Sequence, residues 1–322
     1  MRNSLSRTYR KKNAQFKLKL NSYLKILPML KKNFFAVILA LLSFMVALIL
    51  SAQSSEAVSE LYVFGDSLSD MGTVFQASGG QYPPRSTYFQ GRYSNGKVWV
   101  EYLADRLKLP PERVTNFASG GATTGSDRNS LVPGLLTQVQ SWTNSEKQAN
   151  PHAVYVLWAG ANDYLQGANN ANIPVENVAR AIASLAAVGV KNILLANLPD
   201  LGQLPATRTG VNSARLTVLT QAHNQGLRRT VKVLSQQHSG LKIATLDANA
   251  LYREAIANPA KYGLTNVTGA CLSGGGICGS PDRFLFWDGI HPTTAAHRIL
   301  GEAAFALVQE SGMIISELRT LR

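Results

Sequence analysis

The chain has 322 residues, 45% hydrophobic and 16% charged, a balance that excludes a disordered chain and allows a sizeable buried core. A formal net charge of +13 would point towards polyanions. Ten of the 32 Lys and Arg, however, lie in residues 1–57 against one acid, Glu56, which leaves +4 for residues 58–322 and removes most of the case for a nucleic-acid partner.

Behind Lys31 and Lys32, residues Phe34 to Leu50 run seventeen positions without a charge, the pattern of a signal peptide or a membrane anchor. The run is at the short limit for crossing the hydrocarbon core, and Ser55-Glu56-Ala57 places small residues where a signal peptidase reads, so cleavage after Ala57 is expected. An uncleaved anchor formed by residues 34–50 is the alternative, because basic flanks orient both kinds of segment alike. Met29 offers a second start that would make the leader compact. Either way the chain is expected to be exported, periplasmic or extracellular, or to stay tethered to the membrane. The two cysteines, Cys271 and Cys278, bracket Leu-Ser-Gly-Gly-Gly-Ile, whose glycines let the chain turn back. In an exported chain a disulfide is the leading reading, with two free thiols as the alternative and a metal site behind both, since no further Cys or His lies nearby to complete four ligands.

From residue 61 apolar runs alternate with helical patterns, which predicts an α/β domain over residues 58–322 with a doubly wound, mainly parallel sheet. Five runs read as buried strands: Leu61–Phe64, Val114–Ala118, Ala153–Trp158, Asn192–Asn197 and Lys242–Leu246. Helical spacing marks Val98–Leu107, Val175–Val188 and residues 213–237. In the last, Leu216, Leu219, His223, Leu227, Val231 and Leu234 form one apolar stripe, so His223 reads as a hydrogen-bonded core histidine. The tail from Ser311 shows no second apolar span.

In such sheets the residues just after each strand carry the chemistry. Those positions hold Gly65-Asp66-Ser67-Leu68-Ser69-Asp70, then Ser119-Gly120-Gly121-Ala122, then Gly160-Ala161-Asn162-Asp163; Trp287-Asp288-Gly289-Ile290-His291-Pro292 precedes the final helix. A serine nucleophile needs a base within reach and a third group that holds the base in the right tautomer. Asp288 and His291, three apart, can meet in one turn and leave the outer ring nitrogen for Ser67. The oxyanion formed by attack needs donors already aimed at it, and the N–H groups of Ser67 and Gly121 with the Asn162 amide would supply three. Glycine at 121 is expected to allow close backbone approach. Each element taken alone has a plainer reading: a turn or phosphate cradle for Gly-Asp-Ser, a tight turn for Gly-Gly, a helix cap for Asn162-Asp163, half a metal site for Asp288 and His291. Four such coincidences, in order and at strand ends, are harder to accept than one site.

These blocks resemble the GDSL (SGNH) hydrolase family of lipolytic esterases: F-G-D-S-L-S-D at 64–70, N-F-A-S-G-G-A-T-T at 116–124, G-A-N-D at 160–163 and D-G-I-H-P at 288–292. Y-F-Q-G-R-Y-S-N-G-K-V-W-V-E at 88–101 resembles the branch with plant GDSL lipases and related bacterial lipases and phospholipases. The resemblance implies a three-layer α/β/α sandwich, Ser67 as nucleophile, Gly121 and Asn162 in the oxyanion hole, and His291 as base oriented by Asp288. Asp66 would be a structural partner of its loop. One departure is Thr73, where the branch usually has Asn.

The expected activity is hydrolysis of carboxylic esters, acyl-lipid or related, through an acyl-enzyme on Ser67, with no organic cofactor and no metal. Acyl transfer to an acceptor alcohol, a non-catalytic acyl or glycan binder, and a flavodoxin-like nucleotide binder are the rivals. Tyr88, Trp158, Tyr164 and Phe286 are candidates to line an acyl or aryl pocket, with Tyr82 and Tyr93 nearby; the alternative is that Trp158 and Phe286 are core residues and the tyrosines a surface loop. The expected partners are a small-molecule or lipid ester and a membrane surface.

Overall fold

The computed structural model describes residues 38–39, 41–45, 58–126, 132–145 and 148–313. The expected cleavage site after Ala57 and most of the apolar leader lie outside these residues. Among them no helix is long and apolar enough to cross a membrane.

The elements follow in chain order as β1 (Glu60–Gly65), α1 (Thr73–Ala77), α2 (Trp99–Arg106), β2 (Val114–Asn116), α3 (Leu135–Ser145), β3 (Ala153–Trp158), α4 (Ala161–Leu165), α5 (Asn172–Ala187), β4 (Asn192–Ala196), α6 (Ser213–Gln237), β5 (Lys242–Leu246), α7 (Ala248–Ala257), β6 (Asn266–Ala270), β7 (Leu272–Ser273), β8 (Gly276–Ile277), β9 (Phe284–Phe286) and α8 (Thr294–Glu310). The first five strands form one parallel sheet in the order β2-β1-β3-β4-β5, the flavodoxin-like winding. All five strands stand where the apolar runs predict them. β2 and β4 end two residues and one residue early, although the Phe117 N–H still reaches Val63 O at 2.8 Å and the Asn197 N–H reaches Leu246 O at 3.1 Å.

The central strands are continuous apolar runs because both faces are covered. Along β3, Val154, Val156 and Trp158 enter one apolar layer, with Trp99, Leu103, Leu300 and Ala304 from α2 and α8. The alternate residues Ala153, Tyr155 and Leu157 enter the other, with Leu135, Val139, Trp142, Val178 and Ile182 from α3 and α5. The period-2 side-chain alternation of a strand thus builds two cores from one sequence and gives three layers. Among the described residues neither core uses any residue before Val58.

The last third of the chain adds a short parallel pair, β6 with β9, and the hairpin β7–β8. Cys271 and Cys278 are joined in a disulfide that closes this hairpin, as their spacing suggested. The hairpin hangs on the segment before Asp288: the Cys271 N–H donates to Phe286 O at 3.1 Å and the Leu272 N–H to Trp287 O at 2.6 Å.

Candidate active site

The loop after β1 is held from both sides. Gln138 of α3 brackets Gly65, accepting its N–H at 2.8 Å and donating to its carbonyl at 2.9 Å. The Asp66 N–H donates to Trp158 O at 3.2 Å, and one Asp66 carboxylate oxygen accepts the Leu68 N–H at 3.0 Å, a loop-holding contact. Burial pushes the Asp66 carboxyl up to about 7, although His291 nearby favours its charge. Asp70 gathers the N–H groups of Gly72 and Thr73 at 2.7 and 2.6 Å, which starts α1, and the Gly120 N–H at 2.8 Å, which ties the first loop to the second. Thr73 meets this arrangement through its backbone N–H, so the departure from Asn at that position leaves the Asp70 clamp in place.

The second and third loops are laced together. The Asn162 side-chain amide donates to Ala122 O at 2.9 Å, Asp163 accepts from the Thr124 N–H and hydroxyl at 2.9 and 2.7 Å, and Gln166 donates to Gly121 O at 3.3 Å. Asp163 serves loop to loop here rather than as a helix cap.

The segment 88–102 wraps the loop that carries Asp288 and His291. Ser94 donates to Pro292 O at 2.9 Å, Asn95 accepts the Thr294 N–H at 2.8 Å, and the Trp99 N–H donates to His297 Nδ1 at 3.2 Å. The Tyr88 hydroxyl donates to Asp288 Oδ2 at 2.7 Å. The Asp288 Oδ1 accepts the N–H groups of Ile290 and His291 at 2.8 and 2.7 Å, a tight turn that presents both side chains on one side.

Across this frame Ser67, Asp288 and His291 meet. His291 Nε2 stands 2.8 Å from Ser67 Oγ, and His291 Nδ1 stands 2.8 Å from Asp288 Oδ2. Burial alone would raise the Asp288 carboxyl. The hydrogen bond and charge of His291 with the two backbone donors outweigh it and hold the group at about 2, ionised throughout the neutral range. With Nδ1 donating to a carboxylate, Nε2 is left to accept the Ser67 proton. Both ring nitrogens are thus engaged, and the described residues contain no group of three or more His, Cys, Asp or Glu placed to hold a metal ion.

Ser67 and Asn162 line one slot, while the N–H groups of Ser67 and Gly121 have no hydrogen-bond partner among the described residues. Gly121 has a φ of +85°, a left-handed conformation that favours glycine, and a Cβ there would meet no protein atom within 4 Å, so the space beside its N–H is open. Close packing acts one residue earlier, at Gly120, where a Cβ would fall 2.1 Å from the Tyr93 hydroxyl oxygen. The Tyr93 ring in turn lies 5.1 Å from the His291 ring.

The aromatic candidates for a substrate pocket do not line the slot. Trp158 and Phe286 are 0% and 1% exposed in the core: Trp158 ends β3, covered on both faces, and the Phe286 ring packs 5.9 Å from that of Tyr252 in α7. Tyr164 is 1% exposed and turns its hydroxyl to His223 Nδ1 at 2.8 Å, which makes His223 the bonded core histidine expected. Tyr88 is committed to Asp288. The slot, with a volume of about 20 Å³, is lined instead by Leu165, Pro199, Leu201, Leu204, Tyr252 and Ile290 beside Ser67 and Asn162. Pro199, Leu201 and Leu204 follow the end of β4, so reading the position after the fourth strand as closely as the first three would have found them.

The sequence matches the family described as "GDSL-like Lipase/Acylhydrolase" over residues 61–304. It is 28% identical to a phosphatidylcholine-sterol acyltransferase of Aeromonas hydrophila, over 86% of this chain and 97% of that one. It is 29% identical to the thermolabile hemolysin of Vibrio parahaemolyticus, over 78% of this chain and 64% of that protein, so it spans about two thirds of that relative's length. It is 28% identical to the GDSL esterase/lipase APG of Arabidopsis thaliana, over 79% of this chain and 92% of that one. With the four sequence blocks gathered at one end of a flavodoxin-like sheet, the chain belongs to the GDSL-like lipase/acylhydrolase family and is a carboxylic ester hydrolase.

Proposed function

We propose that residues 58–322 are an exported serine esterase or lipase acting on acyl-lipid or related carboxylic esters, with Ser67 as nucleophile, His291 as general base and acid, and Asp288 as the group that orients His291. The observation that carries this reading is the hydrogen-bonded chain Ser67 Oγ, His291 Nε2, His291 Nδ1, Asp288 Oδ2, with both links at 2.8 Å. Ser67 Oγ attacks the ester carbonyl while its proton passes to Nε2. The carbonyl electron pair moves to oxygen, facing the N–H groups of Ser67 and Gly121 and the Asn162 amide. Collapse expels the alkoxide, which takes the proton from Nε2 and leaves as the alcohol. Water, deprotonated by the same nitrogen, then releases the acid and restores Ser67. Export is supported by the basic flank, the apolar run 34–50 and the disulfide in a chain with no free cysteine.

The test is hydrolysis of p-nitrophenyl acetate, butyrate and palmitate by residues 58–322 beside Ser67→Ala. Turnover that survives Ser67→Ala would show that the nucleophile is another residue. A second reading, transfer of the acyl group to an acceptor alcohol, shares the acyl-enzyme and is supported by the Aeromonas acyltransferase, which this chain matches along 97% of that protein's length. Added glycerol separates the two: hydrolysis leaves the free-acid yield unchanged, whereas transfer diverts part of it into glyceride.

A further inference from the structure

The outer face of α6 carries exposed charges that, among the described residues, enter no ion pair, together with exposed apolar groups. Residues 201–246 contain six Lys and Arg and no carboxylate. Four of these cations, Arg215, Arg228, Arg229 and Lys232, lie on α6, and all four are exposed. At 100° per residue they fall with Val218 in an arc of about 140°, opposite the buried stripe. Among the described residues none of the four is in an ion pair, and Arg215 donates only to the Ala168 carbonyl at 3.0 Å. The one carboxylate among the residues lining the groove between α5 and α6, which Arg229 also lines, is Glu176.

This arrangement works against the isolated helix. Arg215 sits in the first turn, where the helix dipole is positive, and Arg228 and Lys232 are like charges at i, i+4. Val218 and Val233 are β-branched and 62% and 47% exposed, at positions where propensity favours other residues. An anionic surface with an apolar interior would satisfy both features. The face also leads to the catalytic end. Val211, fully exposed just before α6, and Arg215 line a cavity of about 430 Å³ together with Leu165, which also lines the Ser67 slot. Ile290, beside His291, is exposed at the same slot.

We propose that the outer face of α6 docks this domain on anionic phospholipid, with the cations against headgroup phosphates and Val211 and Val218 at the acyl boundary, so that the Ser67 slot is presented to the lipid surface. Lipid is favoured over a nucleic acid because exposed valines are interleaved with the cations along a face that starts at the catalytic mouth. The proposal concerns binding and stands whether or not Ser67 is the nucleophile.

The experiment is co-sedimentation of residues 58–322, which hold both apolar cores, with phosphatidylcholine vesicles that contain or lack phosphatidylglycerol. The proteins compared are the wild type, Arg228→Glu/Arg229→Glu/Lys232→Glu and Val218→Ser, each checked for an unchanged thermal transition and unchanged hydrolysis of p-nitrophenyl acetate. The expected result is binding that requires phosphatidylglycerol and weakens with salt, that falls roughly hundredfold in the triple variant, and that falls about fivefold in Val218→Ser. Equal binding by wild type and triple variant, or none to phosphatidylglycerol vesicles, overturns the proposal. Tighter binding to a short DNA duplex than to vesicles, with Val218→Ser unaffected, would replace lipid with nucleic acid as the partner. Loss of ester hydrolysis in Ser67→Ala with vesicle binding intact separates this face from the catalytic reading.

Discussion

The Tyr88 hydroxyl and the Asp288 carboxylate, two hundred positions apart in the chain, share a hydrogen bond of 2.7 Å on the same oxygen that faces His291 Nδ1. Asp288 is therefore held by three kinds of donor: the His291 ring, two backbone N–H groups and a phenol. The phenol comes from the 88–101 segment, which also bonds the chain just after His291, through Ser94 to Pro292 O and through Asn95 to the Thr294 N–H at the start of α8. What reads in the sequence as a substrate-facing aromatic is hydrogen-bonded to the Asp288 carboxylate.

Tyr88→Phe keeps the ring and removes that donor. Loss of one hydrogen bond to a charged group is expected to lower kcat about tenfold with KM little changed, since nothing that lines the slot is altered. Steady-state kinetics on a soluble ester decide it: an increase in KM at constant kcat would return Tyr88 to the substrate pocket.

Asn162→Ala removes an amide that both fastens Ala122 O and faces the slot. Loss of an oxyanion donor is expected to lower kcat by roughly 10²–10³. If the role were only fastening, the thermal transition would fall while kcat per folded molecule stayed near wild type.

Asp66 gives a pH signature. Its folded pKa, about 7, lies above the ordinary value of 3.8 because of burial. Whatever stability its neutral form contributes is complete below 3.8, declines between 3.8 and about 7, and is absent above. Asp66→Asn keeps an acceptor for the Leu68 N–H and never ionises. Its Tm relative to wild type should therefore rise between about pH 5 and about pH 8, by about 3 °C or more. An offset identical at both pH values would mean that Asp66 is ionised in the folded protein.

The disulfide closes a short hairpin fixed to Phe286 O and Trp287 O, directly ahead of Asp288. Cross-linking so short a loop constrains the unfolded chain by about 2.5 kcal/mol on the chain-entropy account. Replacing both cysteines by serine should lower Tm by about 5 °C or more. An intact mass without the two-hydrogen loss would remove the bond itself.

Most of the fold was legible because its signals are local. A six-residue apolar run such as Ala153–Trp158, rich in β-branched and aromatic residues and followed by Ala-Gly, reads as a buried strand, and a 3.6-residue stripe over 213–237 reads as a helix on a sheet. The four loop blocks were legible for the same reason, since each is a short stretch ending a strand or preceding a helix. Their convergence could be inferred from the rule that ligands sit at the carboxyl ends of parallel strands.

What sequence by itself determined, then, was the succession of strands and helices along the chain and the loop blocks that hold Ser67, Asp288 and His291. Tertiary structure alone decided which way side chains with two plausible destinations turned. Trp158 went to the core because helices cover both faces of β3, Phe286 because its ring packs 5.9 Å from that of Tyr252 in α7, and Tyr88 went to Asp288 because the segment before α2 folds over the loop before α8. Pro199, Leu201, Leu204 and Tyr252 became the slot because the ends of β4 and β5 lie beside Ser67 only once the sheet is wound. Such choices depend on contacts between residues far apart in sequence, and no local pattern encodes the distance between them.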